Sequence, residues 1–322
     1  MKPLPFGLAP MLRMGASVLS GSGASASLLL LTFHRVLPES DPLLPNEPSA
    51  ADFAAQLDLL RSLFNILTVR EAVELRARNA LPARSLCITF DDGYRNNAEV
   101  ALPLLRARGL RATFFVSTGY LNGGRMFNDT VIEAARRAPE QLDLTDLGLG
   151  IHTLKDAVAR RALADRVLNH VKYLEPEARM RVALAVAERA AADLPTDLMM
   201  TSGQVRELAS AGMEIGAHTV SHPILARIPA TDAEQEIAQS RAVLREMTGE
   251  PVTSFAYPNG RPGQDYRDEH VRMVRHAGYE CAVSTSWGKA ASTADTYQLP
   301  RISPWDRSTP RYAARVLRSY LQ

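Results

Sequence analysis

Two short stretches, Ile88-Thr89-Phe90-Asp91-Asp92-Gly93 and His218-Thr219-Val220-Ser221-His222-Pro223, bring two carboxylates and two imidazoles to one chain. Those are the donors of a catalytic metal site. Three protein ligands of mixed Asp and His type, with a water in the open position, are the pattern expected of catalytic zinc. A divalent ion held that way lowers the pKa of its water toward ~7, from ~15.7 in bulk, and so supplies a nucleophile at neutral pH.

The elements that must position these groups are legible around them. The run from Leu86 to Phe90 is β-branched and aromatic and reads as a buried strand, which Asp91-Asp92-Gly93 stops as a turn. Side chains alternate in direction along a strand, so Asp91 and Asp92 are free to do different jobs, one on a cation and one facing its water. Gly93 lets the backbone turn away without a Cβ penalty. His218 and His222 are four apart, a spacing that converges on one metal if the segment forms a helical turn. Taken singly, an Asp-Asp-Gly is a turn and a His-x-x-x-His is two polar side chains. Together, in a chain with 7 histidines and after the strand-like Met213–Ala217, they favour a site.

With these motifs the chain resembles the polysaccharide deacetylases of the NodB-homology type, carbohydrate esterase family 4. Thr89–Gly93 looks like the first motif of that family and His218–Pro223 like its second. Phe255-Ala256-Tyr257-Pro258-Asn259-Gly260 is similar to the third, and Leu299-Pro300-Arg301-Ile302 falls where the fifth sits. The likeness covers roughly residues 28 to 305. It implies that Asp91 is the general base, that Asp92, His218 and His222 hold one divalent ion, expected to be Zn2+, and that the backbone amide near Asn259 faces the oxyanion, with Tyr257 beside it. Trp287 is a loose match to a fourth, tryptophan-bearing motif and is assigned to the groove or to packing. Departures from the pattern matter equally. Where much of the family has an arginine that orients the base, this chain has Ala256, and Arg301 is the candidate to supply the guanidinium from another strand end. No histidine follows His276, so the general acid of the fifth motif is missing. His34, at the end of an apolar run, is the candidate to replace it, with a structural histidine at a strand end as the alternative.

Composition fits an enzyme of this size without identifying it. The 322 residues are 46% hydrophobic, with 37 basic and 35 acidic side chains and a net charge of +2. That balance gives no electrostatic case for nucleic acid and points to a largely neutral ligand. Cys87 and Cys281 both lie in apolar runs and read as buried free thiols, mildly favouring a reducing compartment. Lys2 and Arg13 precede a segment broken by small polar residues, and Leu28–Phe33 is shorter than a signal-peptide core. The expectation is a cytoplasmic protein whose residues 1–27 form a tail or an amphipathic contact.

The rest of the chain alternates strand and helix patterns, which implies parallel strands with right-handed helical crossovers. Strands are expected at Leu28–Phe33, Ala112–Ser117, around Phe255 and at Tyr279–Thr285. Helices are expected at Ala51–Phe64 with Ser49 or Asp52 as cap, Glu99–Arg108, Ser202–Ala211, Asp232–Met247 and Tyr266–Ala277, the last with His270 and His276 on its solvated side. Residues 128–192, rich in Ala, Leu, Arg and Glu, read as a helical insertion with runs at Asp129–Arg137, Lys155–Tyr173 and Glu177–Ala192. It could wall the groove, or serve packing or dimerisation; its His152 and His170 are not expected to bind metal. Thr309-Pro310 caps and opens a final helix whose Arg311, Arg315 and Arg318 form a basic face, usually solvated, with peripheral contact to anionic lipid or glycan as the alternative.

The expected fold is therefore an α/β deformed (β/α) barrel, with residues 28–322 as one catalytic domain. The resemblance makes the expected activity metal-dependent hydrolysis of N-acetyl groups on a polysaccharide or glycan precursor, of exopolysaccharide or envelope type. Two alternatives stand beside it: hydrolysis of another small C–N substrate, and an inactive glycan-binding protein.

Overall fold

The computed structural model describes residues 8–304, 306 and 308–322, so the first seven residues of the expected tail, Lys2 included, lie outside it. From Leu8 to Ser20 that tail is a helix, α1, whose Ala16 is buried against the main core. The sheet strands are β1 (Leu28–Phe33), β2 (Asn65–Leu67), β3 (Ser85–Phe90), β4 (Thr113–Val116), β7 (Glu214–Ala217), β8 (Ser254–Ala256) and β9 (Cys281–Val283). A hairpin of β5 (Gln141–Leu144) and β6 (Gly150–Thr153) stands apart. The seven strands pair in parallel, in the order β1-β3-β4-β7-β8-β9 with β2 beside β3. The open edges meet at Leu299–Ile302: Val283 bridges Leu299 on one side and Leu31 bridges Ile302 on the other. The expected deformed (β/α) barrel is what forms.

Alternation along each strand sorts the side chains into two cores. Leu28, Leu30, Cys87, Phe115, Ala256, Cys281 and Val283 point inward. Leu29, Leu31, Leu86, Ile88, Phe90, Phe114, Ile215 and Phe255 point outward, under the helices. This parity decides the site. Continuing the inward register past Cys87 gives Thr89 and then Asp91; continuing it past Gly216 gives His218. Both cysteines are buried and free.

The outer helices are α2 (Ala50–Leu63), α3 (Val69–Ala77), α4 (Leu102–Arg106), α8 (Ser202–Ser210), α9 (Ala230–Thr248), α10 (Asp268–His276) and α11 (Thr309–Arg318). Ser49 caps α2 by accepting from the Asp52 amide, as expected. The helix expected from Glu99 begins instead with a π turn at Asn97–Ala101 before α4. His270 was expected in solvent and is buried: its Nδ1 accepts the Arg267 amide and closes the first turn of α10. In α11, Ser308 precedes Thr309 as the cap position, and Arg315 pairs with Asp306 rather than standing solvated.

The insertion holds three helices, α5 (Phe127–Arg137), α6 (Ala157–Val171) and α7 (Pro176–Arg189), close to the expected bounds. It is not wholly helical, because the β5–β6 hairpin lies between α5 and α6. The reason is visible in Gln141-Leu142-Asp143-Leu144, where polar residues are exposed and leucines buried in strict alternation. Val131, Leu142, Leu163, Val167 and Val186 give this unit a hydrophobic core of its own.

Candidate metal and catalytic centre

All four residues of the two opening motifs meet at the carboxyl ends of the strands. Asp92, His218 and His222 offer ligand atoms within 4.8 Å of one another, the one such group among the described residues. His152 and His170 take no part in it. The Nε2 atoms of both histidines lie 3.5 Å from Asp92 Oδ1, too long for good hydrogen bonds. That oxygen is buried and has no hydrogen-bond partner. A buried, unpaired carboxylate oxygen is costly unless a cation completes it, and two imidazoles with one carboxylate suit a small divalent ion.

Supporting contacts orient these donors. His218 Nδ1 is 2.7 Å from the Ala256 carbonyl, which fixes the tautomer and leaves Nε2 free to bind. Burial, with the neighbouring His218 and Arg179 adding to it against Asp92, brings His222 down to about 4, so its ring is neutral at physiological pH. Asp92 also responds to burial, which raises it, but the surrounding histidines outweigh that and hold it far below the usual carboxylate range.

The helical turn expected between the histidines does not form. Residues 218–222 are a loop in which Thr219 (φ 65°) and His222 (φ 52°) adopt left-handed backbone. Asp92 (φ 78°) and Asn259 (φ 58°) do the same. Such conformations in non-glycine residues cost free energy and gather where function requires them. Glu236 on α9 holds the loop: its carboxylate accepts the amides of Val220 (2.7 Å) and Ser221 (2.8 Å) and the Ser221 hydroxyl. Sequence reading passed over Glu236, since nothing distinguishes it from the other acids of a long amphipathic helix.

Asp91 points into the barrel beside this cluster and is gripped by Arg301. Nη1 reaches Oδ1 and Nη2 reaches Oδ2, each at 2.7 Å. Arg301 also donates to the Ser284 carbonyl and the Thr89 hydroxyl. Burial raises Asp91, but the guanidinium, aided by His218, wins and holds it below the ordinary aspartate value. The guanidinium missing at the Ala256 position is thus present, delivered from the closing segment.

His34 follows β1 and lines a recess of about 370 Å³ with Glu47, Thr32 and Gln56. Desolvation lowers its pKa, yet Asp92, Glu47 and Asp91 together outweigh it and raise the imidazole above its usual value. Asn259 is half-buried, and its backbone N–H meets no acceptor among the described residues. One assignment needs correction. Tyr257 lies on the outward parity, stacked on Tyr266 at 3.8 Å with its hydroxyl on the Tyr297 carbonyl, so its side chain does not face the centre. Trp287 donates to Gln322 and shares a surface recess with Arg315, Arg318 and Ser319.

A second set of residues stands on the insertion side of the centre: Tyr94, Arg35 and Asp129. The Tyr94 hydroxyl donates to Asp129 (3.2 and 3.3 Å), and the Arg35 guanidinium lies 4.7 Å over the Tyr94 ring. Burial, opposed by Arg35 and assisted by Asp92, pushes Asp129 up to about 7.

A parallel α/β barrel thus carries, at its strand ends, an Asp, His, His group that could hold a metal ion beside a clamped carboxylate. The sequence profile described as polysaccharide deacetylase matches residues 78–282, and the chain belongs to that family. YxkH of Bacillus subtilis, assigned to the polysaccharide deacetylases, is 21% identical over 299 residues, covering 92% of this chain and 77% of its own. The Streptococcus pyogenes deacetylase PplD, solved in complex with acetate, superposes with a TM-score of 0.61 at 20% identity, over 91% of this chain and 99% of that one. IcaB from Ammonifex degensii gives 0.59 at 22% identity, over 92% and 98%. At such identities these structures show a shared fold.

Proposed function

We propose that this protein is a metal-dependent hydrolase, with zinc as its ion, that removes acetyl groups from N-acetylated amino sugars of a glycan. The observation that carries this reading is the Asp91–Arg301 clamp set beside the Asp92, His218, His222 cluster, one carboxylate held ionised while the other is left without a protein partner. When bound, the ion supplies Lewis acidity toward a water and toward the acetyl carbonyl.

The chain's own residues do the proton work. Asp91, fixed by two hydrogen bonds, takes a proton from the water as its oxygen bonds to the acetyl carbon. The unpaired Asn259 amide donates to the oxygen that gains charge. His34, with its raised pKa, gives a proton to the sugar nitrogen as the C–N bond breaks. Acetate and a free amine leave; of the protons on Asp91 and on the new carboxylic acid, one restores His34 and the other returns to solvent.

The test is acetate release from N-acetylglucosamine oligomers by zinc-loaded protein, run against Asp91→Asn. Release by the wild type and its loss in the variant is expected. A wild type that binds zinc yet releases no acetate from any N-acetylated oligomer would overturn the reading.

A further inference from the structure

The insertion carries a buried arginine with no anion to meet. Arg179 on α7 is 6% exposed. Its Nε is buried without a partner, and no carboxylate or carbonyl among the described residues accepts from its guanidinium. Three other sheltered arginines find acceptors. Arg160 donates to the carbonyls of Ala135, Arg136 and Ala138, Arg241 to Val252 and Ala277, and Arg301 to Asp91. Arg179 has only the Phe127 ring, 4.0 Å from its guanidinium carbon. A cation–π contact offsets only part of the cost of burying an unpaired ion.

Its position explains why such a group is kept. Phe127 opens α5, directly after Met126, and Met126 packs with Tyr94, Met199 and Tyr120. Tyr94 is two residues from Asp92, and the Tyr120 hydroxyl donates to the Ser221 carbonyl (2.8 Å) beside His222. The field of Arg179 is felt at both Tyr120 and His222. The guanidinium therefore sits on the insertion wall of the metal centre. Arg35, on the same side, also has a buried Nε without a partner. Met126 offers no side-chain cap to the α5 amides, which add positive partial charge. The one carboxylate in that first turn, Asp129, is taken up by Tyr94 and Arg35.

We propose that Arg179 binds an anionic group, a carboxylate or a phosphate, carried by the glycan on a unit next to the N-acetyl group that is removed. This rests on the deacetylase reading and narrows its substrate class to acidic glycans. A planar fork of donors matches either oxyanion. The overall net charge of +2 conceals this preference, which lies in one placed guanidinium.

The test compares kcat/KM for acetate release from three N-acetylglucosamine oligomers of equal length: neutral, with a uronic acid unit, and with a phosphate. The wild type is expected to favour one or both acidic oligomers by about tenfold or more, the worth of a charge-assisted hydrogen bond. The better of the two identifies the source of the anion. In Arg179→Gln the acidic-to-neutral ratio is expected to collapse toward one, chiefly through KM. In Arg179→Lys, which keeps the charge and loses the fork, it is expected to fall partway. Equal use of all three oligomers by the wild type, or a ratio that survives Arg179→Gln, would overturn the proposal. Should no oligomer yield acetate, the deacetylase reading fails instead. The anion site is then judged by thermal stabilisation with glucuronate or inorganic phosphate, expected in the wild type and absent in Arg179→Gln. Stabilisation by neither anion, or equal stabilisation of both proteins, refutes it.

Discussion

Arg301 holds both carboxylate oxygens of Asp91 at 2.7 Å across 210 residues of sequence. The pair spans the seam where Leu299–Ile302 joins β9 to β1, so the residue assigned as base depends on the last strand position of the barrel. Arg301→Met should lower acetate release by about a hundredfold or more, because the base is no longer aimed. It should also destabilise the fold by roughly 3–5 kcal/mol, since Asp91 is left buried and unpaired. Urea unfolding alongside acetate release checks both. The double variant with Asp91→Asn should recover much of the stability and none of the activity.

In the proposed mechanism metal binding and proton transfer fall on different residues, so they should separate. Elemental mass spectrometry should find about one zinc per chain in the wild type and in Asp91→Asn, and a large loss in His222→Ala. Zinc retained at full occupancy in His222→Ala would remove the ligand assignment.

The loop between the histidines has no helix to shape it and relies on Glu236. Glu236→Gln keeps the size of the side chain but weakens its three contacts. Groups that orient metal ligands typically contribute about 10–100-fold in affinity, and competition with a chromophoric chelator should show a loss of that order. Unchanged affinity would mean that the left-handed residues Thr219 and His222 shape the loop unaided.

With His34 as the proposed acid, its raised pKa is expected to set the alkaline side of the activity profile. A raised pKa keeps the imidazolium populated above the usual histidine value of ~6.5, and activity should fall only as pH climbs through the higher folded value. The lowered pKa of Asp91 moves the acidic limb below the ordinary aspartate range. His34→Asn should abolish the alkaline limb. A limb that persists in that variant assigns the acid elsewhere.

Asp129, pushed up to about 7, couples stability to pH. Its folded pKa exceeds its unfolded one, so its contribution is complete below about pH 4 and is lost as pH rises through 7. Asp129→Asn should flatten thermal stability between those limits and raise it at pH 8 relative to the wild type. Parallel curves for the two proteins would show that Asp129 does not titrate in this range.

Strongly local chemistry was readable from sequence. The Asp91 and Asp92 turn, the histidine pair, the parallel alternation and the capped α2 all follow from short patterns. Arg301 was readable only as a candidate, because a guanidinium supplied from a distant segment leaves no local spacing. Tyr257 was misplaced for a related reason: a motif shows that a residue is near the strand end, while strand parity decides which face it takes. The β5–β6 hairpin was hidden because four-residue strands disappear within an Ala- and Leu-rich stretch. Arg179 and Asp129 were unreadable as site residues, since an arginine or aspartate on an amphipathic helix is ordinarily solvated.

The insertion has its own hydrophobic core, built from Val131, Leu142, Leu163, Val167 and Val186 and distinct from the cores of the barrel. Mutations that remodel the wall can therefore be absorbed inside that core without disturbing strand register or the reacting groups. Under the proposed Arg179 site, such an arrangement makes substrate choice an exchangeable cassette on a fixed engine, and grafting the segment between β4 and α8 from one barrel of this kind to another is expected to carry specificity with it.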